Sequence, residues 1–249
     1  MDSSGPIRDS SPLHLVISEE LRGQILNGDY APGEQLPSEH QLMQQFQVSR
    51  ITVRRAIANL VNQGLATSRR GKGVFVKSQQ KAIYTLTNPL TFLEEDISRQ
   101  GVSFAIQNLT LEPIAAPTTV QQILQLPSEQ AEVYFQKKLL LLDGVPAAVD
   151  SSYLVAELGQ ACATNLKRRM TFPTLEQHGV AIERIAATLE CTHASHELGE
   201  HLHVAMGSPI MVYSYTAYTL HHQPIVWGQT ASRADCLSYA VVLNRTPGE

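Results

Sequence analysis

The chain has 249 residues, 43% of them hydrophobic and 17% charged, with 19 Lys and Arg against 23 Asp and Glu. That length accommodates two domains with separate cores, and the composition is that of an ordinary globular protein, not a disordered or fibrous one. The longest aliphatic run, Leu139 to Leu142, falls far short of the roughly 20 residues a membrane helix needs, so no membrane partner is expected.

Cys162, Cys191 and Cys236 are odd in number and widely spaced, which makes no disulfide framework and fits a reducing, cytoplasmic setting. Charge is spread unevenly. From His40 to Leu93 there is no Asp or Glu, whereas Arg50, Arg54, Arg55, Arg69, Arg70, Lys72, Lys77 and Lys81 occur; after Leu93 the count is 9 basic to 16 acidic. A positive block in an otherwise acidic chain suits a module that reads a polyanion, joined to one that does not. A merely solvated basic face is the alternative that composition leaves open.

Residues 1–11 are rich in Ser, Pro and Gly, lack the apolar core of a signal peptide, and are expected to form a disordered tail. Leu13, Val16, Ile17, Leu21 and Ile25 recur at helical spacing, and Gly28-Asp29 stops that first helix. Ser38 is placed to cap a second helix through Phe46, and Ser49 a third whose apolar face is Val53, Ala56, Ile57, Leu60 and Val61. Gly64 ends it. Ala66–Arg69 and Val74–Lys77 predict a hairpin across Arg70-Gly71-Lys72-Gly73, where glycine permits positive φ. Three helices and a basic hairpin make a winged helix-turn-helix over residues 12–77. A helix of this size enters the major groove with its N-terminal side chains on base edges, and the wing lies along the backbone.

Leu36-Pro37-Ser38-Glu39, Val48-Ser49-Arg50-Ile51-Thr52-Val53-Arg54, Gly64-Leu65 and Arg70-Gly71-Lys72-Gly73-Val74-Phe75-Val76 together resemble the N-terminal domain of GntR-type bacterial transcription regulators. The resemblance implies that Arg50 and Arg54 contact DNA from the recognition helix, with Ser49 and Thr52 on phosphate and Arg70, Gly71, Lys72 and Gly73 forming the wing tip. Ser38, His40 and Arg55 join this set of expected contacts. His40 stands where such regulators usually carry Arg, and a mostly neutral imidazole attracts phosphate less than a guanidinium does.

Residues 78–88 are polar and poorly periodic and are expected to be a linker; Pro89 opens a second domain running to about residue 245. In it, strand-like runs Phe104–Pro113, Val133–Leu142, Pro146–Leu154, Ile182–Cys191, Ile210–Leu220 and Ile225–Ser232 alternate with short helices. Asp143-Gly144 and His221-His222-Gln223 read as hairpin turns, so pairing is mostly antiparallel and the fold class is α+β.

Leu90-Thr91, Glu95-Asp96-Ile97, Leu142-Asp143-Gly144-Val145-Pro146, Asp150-Ser151-Ser152-Tyr153-Leu154, Gly207-Ser208-Pro209 and Pro224-Ile225-Val226 resemble the UTRA effector domain. Its fold is chorismate-lyase-like, and it accompanies the histidine-utilisation-repressor-like (HutC-type) subfamily. The resemblance implies a metabolite pocket in which Thr91 opens a helix whose amides meet an anionic group and Lys138 supplies charge. Ser152, Tyr153 and Gln229 would add polar contacts, and Arg233 would close the site. Phe92, Leu140 and Val226 replace polar residues of phosphate-binding members. With Trp227 nearby, they imply a small organic anion or sugar derivative with an apolar body.

Cys191, His193, His196, His201 and His203 crowd together, but their spacing matches no closed zinc site, and His193, His196, Glu197, Glu200 and His201 read as the wet side of a helix whose dry side includes Leu198 and Leu202. Tyr213 and Tyr215 share a strand face, read as core or dimer packing. No phosphate loop, nucleophile elbow or zinc helix is present, so no cofactor and no enzyme activity are expected. The expectation is a ligand-responsive repressor that binds a pseudo-palindromic operator as a homodimer. The alternative is a lyase-like enzyme or binding protein tethered to DNA.

Overall fold

The computed structural model describes residues 12–77, 81–86, 93–127 and 131–241. It divides into two compact units, Met1–Gln79 and Gln80–Glu249.

The first unit contains α1 (Leu13–Asn27), α2 (Glu39–Phe46), α3 (Arg50–Asn62), β1 (Ala66–Arg69) and β2 (Gly73–Val76). Its helix ends follow local chemistry. Gly28 takes a left-handed φ of 87° and its N–H returns to the last turn of α1. Ser38 and Gln41 form a reciprocal capping box at the start of α2. Ile17, Leu21, Leu42, Val53, Leu60 and Leu65 build one core, and truncating any of its fully buried leucines to Ala removes about 2–5 kcal/mol. Ser18 bridges α1 and α3, donating to the Leu15 carbonyl and accepting from Asn59 Nδ2 at 2.8 Å. The apolar stripe of α1 is narrower than its spacing suggests: Leu13 and Val16 are 62% and 49% exposed.

β1 and β2 pair antiparallel, and the segment before α2 joins them. Leu36 N–H donates to the Val74 carbonyl, Val76 N–H to the Glu34 carbonyl, and Gln35 Nε2 to the Lys72 carbonyl at 2.9 Å. Gly73 has φ of 115°, and a Cβ there would strike Gln35 Nε2, so glycine is required where the wing meets this clamp.

The second unit is a six-stranded sheet in the order β4-β5-β6-β9-β8-β7, antiparallel throughout. The strands are β4 (Phe104–Ala115), β5 (Glu132–Leu142), β6 (Val145–Val155), β7 (Arg184–His193), β8 (Pro209–Tyr218) and β9 (Pro224–Arg233). Asp143 and Gly144 have φ of 49° and 78°, the double positive φ of a tight hairpin turn between β5 and β6. The helices are α4 (Leu93–Arg99), α5 (Thr118–Leu124), α6 (Ala156–Leu166), α7 (Thr171–Gln177) and α8 (His196–Leu202). The residues expected as linker hold a further strand. Ala82–Thr85 forms β3, which pairs in parallel with β10 (Leu237–Ala240). Polar, weakly periodic sequence hides a strand whose partner lies some 150 residues downstream.

Side chains alternate along each strand, so register decides what shares a face. One face, beneath α6 and α7, carries Leu154, Tyr213, Tyr215, Ala217 and Val226 against Cys162, Leu166 and Leu175. The opposite face packs Tyr153 and Trp227 beneath α5 and Leu139, Val149 and Ile210 beneath α8. His193 ends β7 and is not part of the α8 helix. Ser195 caps α8, and Leu202 is its buried residue.

Candidate functional site

On the first unit, Ser49 sets the start of α3: its Oγ accepts from Thr52 N–H at 3.3 Å and shares a hydrogen bond with Thr52 Oγ1 at 2.9 Å. Burial of Val53, Ala56, Ile57 and Leu60 turns Ile51, Arg54 and Arg55 outward, with Arg50 at the first turn. Arg50 and Arg54 are 71% and 70% exposed, and Glu39 of α2 faces both. The helix start leaves free N–H groups pointing the same way, which favours phosphate. Ser38 and Ser49 serve the helix caps directly, while His40 lies exposed on α2. At the wing, Arg69 lies 4.7 Å over the Phe75 ring. Lys72 N–H closes the turn onto the Arg69 carbonyl, and Gly71 has φ of 71°.

In the second unit, two rows of side chains cross the sheet on the face beneath α6 and α7. Lys138, Asp150, Thr230 and Tyr213 stand in register, and beside them Gln136, Ser152, Gly228 and Tyr215. Gly228 matters because a Cβ there would lie 2.6 Å from the Tyr215 ring and hydroxyl and 2.7 Å from Ser152 Cβ. The gap lets Tyr215 lie over the strand and donate its hydroxyl to Asp150 Oδ1 at 3.0 Å, where Thr230 also donates at 2.8 Å. Asp150 is 1% exposed, and its Oδ2 has no hydrogen-bond partner among the described residues. Burial raises the Asp150 carboxyl above its ordinary range and lowers Lys138 to about 8. The Lys138 ammonium donates to the Arg169 carbonyl at 2.7 Å. Gln136 Nε2 reaches Ser152 Oγ at 2.6 Å and also Thr171 Oγ1.

Above these rows opens a small recess of about 40 Å³, lined by Tyr84, Tyr213, Tyr215 and Tyr239, with Asp150, Thr230 and the α7 residues Thr171 and Phe172. Tyr213 and Tyr239 stack at 5.6 Å, and Tyr84 meets each edge-on. Burial pushes the Tyr213 and Tyr239 hydroxyls up to about 12, so both stay protonated donors.

The sequence grouping of effector contacts is corrected by register. Lys138 and Ser152 stand in the polar rows, but Tyr153, Trp227 and Gln229 point to the opposite face. There Trp227 stacks on Tyr153 at 5.5 Å, and Gln229 Nε2 donates to Ser214 Oγ. Adjacent residues of a strand, such as Ser152 and Tyr153, cannot share a face. Arg233 closes no recess: it is 1% exposed, ion-paired with Asp235 at 2.8 Å and hydrogen-bonded to the Leu202 carbonyl of α8. Thr91 and Phe92 lie outside the described residues. The sequence reading missed Asp150, Thr230 and the tyrosines as a group. Two-residue alternation from Ser152 points to Asp150, but nothing local points to Tyr84. Among the described residues no three His, Cys, Asp or Glu come together as a metal site.

Residues 13–76 match the model of the bacterial regulatory proteins of the gntR family, and residues 99–237 match the UTRA domain. The chain is 27% identical to the HTH-type transcriptional repressor NagR of Bacillus subtilis over 94% of this chain and 96% of that protein. It is 26% identical to the mannosyl-D-glycerate transport/metabolism system repressor MngR of Escherichia coli, over 94% and 97%. Among solved structures it resembles PhnF from Mycobacterium smegmatis, with a TM-score of 0.65 at 20% identity, covering 92% of this chain and all of that one.

Proposed function

The chain belongs to the gntR family of bacterial regulatory proteins, with a UTRA domain behind its DNA-binding unit, and from that premise we propose a metabolite-sensing repressor of the HutC type. It works in the cytoplasm as a homodimer on a pseudo-palindromic operator, with the recess of the second unit as effector site. The observation that carries this reading is the pair Arg50 and Arg54, one helical turn apart and exposed on a capped helix. A guanidinium bidentate to guanine supplies about 1–3 kcal/mol of discrimination. Arg55, Arg70 and Lys72 add phosphate contacts that make binding fall with salt.

Two-fold symmetry pairs the recognition helices with the halves of the operator. The dimer is assigned to the second unit, where β7 is an edge strand exposed along residues 186–193. Effector acts by population shift: it changes operator affinity only by the difference in its affinity for the two dimer arrangements. Tyr84 of β3 lines the recess, so occupancy reaches the first strand of the second unit. This reading departs from a tethered enzyme, which would require turnover.

Gel-shift titration of the full chain against the promoter of its own neighbouring operon and against random duplex tests the reading. Preference for the promoter is expected, and Arg50→Ala with Arg54→Ala is expected to abolish it. Equal binding to both duplexes, or a preference untouched by the double substitution, overturns it.

A further inference from the structure

We propose that the recess takes the head group of a small organic cation, an amine, amidine or quaternary ammonium, with Asp150 as its counter-ion and the tyrosine rings as its walls. The assignment rests on the reading of the recess as the effector site, and it replaces the anionic ligand expected from the sequence.

The first argument is the carboxylate. Asp150 is 1% exposed, and two hydroxyls occupy its Oδ1 while Oδ2 lacks a partner among the described residues. A buried carboxylate oxygen left open is costly. A donor that carries positive charge removes that cost most completely.

The second argument is the wall. Tyr84, Tyr213 and Tyr239 meet at centroid distances of 5.6 to 6.2 Å, and Phe172 packs edge-on against Tyr215 at 5.3 Å. Tyr84, Tyr213, Tyr215 and Tyr239 all line the recess, and an aromatic ring attracts a cation to its face through its quadrupole and disfavours an anion there.

The third argument is the balance of charge. Among the described lining residues, Asp150 is the charged one. Lys138 lies below, engaged by the Arg169 carbonyl and offset by both Asp150 and Glu94. Asp96 adds a further negative charge beside Tyr84. An anionic ligand would meet Asp150 at the wall of the recess, with the Lys138 ammonium beneath it and outside the lining.

The test is calorimetry on the full chain with benzylamine, benzamidine and benzyltrimethylammonium, against benzyl alcohol and benzoate as neutral and anionic relatives. At least one cation is expected to bind ten-fold or more tightly than the alcohol, with benzoate weaker still. Asp150→Asn, which keeps shape and removes charge, is expected to lower cation affinity at least ten-fold, with circular dichroism checking its fold. Tyr84→Leu, on the side wall, provides the second variant and is expected to weaken the cation and leave the alcohol unchanged. Benzoate binding as tightly as the cations, cations no tighter than the alcohol, or full affinity in Asp150→Asn overturns the assignment. Operator gel shifts separate this from the parent reading. Cations that bind as expected yet leave operator affinity unchanged remove the effector role and keep cation recognition. An anion that binds the recess and releases operator does the reverse.

Discussion

Glu39 Oε2 accepts a hydrogen bond from Arg50 Nε at 2.7 Å, while its Oε1 stands 3.8 Å from Arg54 Nε. One carboxylate on α2 thereby faces both arginines of α3. The arginines are 71% and 70% exposed, so the contact is worth only about 0–1 kcal/mol to folding. Its effect falls on the readers themselves: it restricts their rotamers before DNA arrives, and it holds one negative charge against the basic face.

Glu39→Gln separates those two effects from stability. Urea unfolding is expected to shift by less than about 1 kcal/mol. Fluorescence anisotropy is expected to show tighter binding to random duplex, because a charge that repels phosphate is gone, together with a smaller ratio of operator to random affinity. An unchanged ratio would show that Glu39 does not organise the arginines.

The first unit was legible because its signals are local. Ser38 and Ser49 cap the helices they precede, Gly28 ends α1, and Gly71 and Gly73 take the positive φ a tight wing requires. Strands β4 to β9 were legible from alternation and from turns such as Asp143-Gly144. The recess was not, because it is a product of register and of distant pairing. Lys138, Asp150 and Thr230 become neighbours only once three strands are aligned, and Tyr84 arrives through a parallel pairing with Tyr239. Family likeness suggested Tyr153 and Gln229, whereas alternation from Ser152 assigns both to the other face.

Gly228→Ala tests the arrangement around Asp150. The backbone tolerates alanine, but the new Cβ would lie 2.6 Å from the Tyr215 ring and 2.7 Å from Ser152 Cβ. Overpacking of this kind costs about 1–3 kcal/mol. Tyr215 is expected to move off Asp150, so the melting temperature of the second unit falls and effector response weakens, while operator binding without effector persists. A variant with wild-type stability and response would mean that Tyr215 does not depend on the gap.

Lys138 gives the second unit a pH signature with a definite sign. Burial lowers its folded value to about 8 from an ordinary 10.5. Below pH 8 both states hold the proton and the burial penalty is fully present. Between pH 8 and 10.5 the folded protein has released a proton that the unfolded chain keeps, so stability rises with pH in that window. Raised tyrosines, Tyr213 and Tyr239 among them, act in the opposite direction from about pH 10 upward, where unfolded tyrosines ionise. Urea unfolding at about pH 7.5 and about pH 9.5 is expected to show wild type gaining about 2 kcal/mol relative to Lys138→Met over the interval. Lys138→Met lowers stability at both values by leaving the Arg169 carbonyl without its donor, so the informative quantity is the difference between the two slopes. Parallel slopes would mean that the Lys138 ammonium stays charged across the window, held by Asp150 and Glu94 more firmly than burial opposes it.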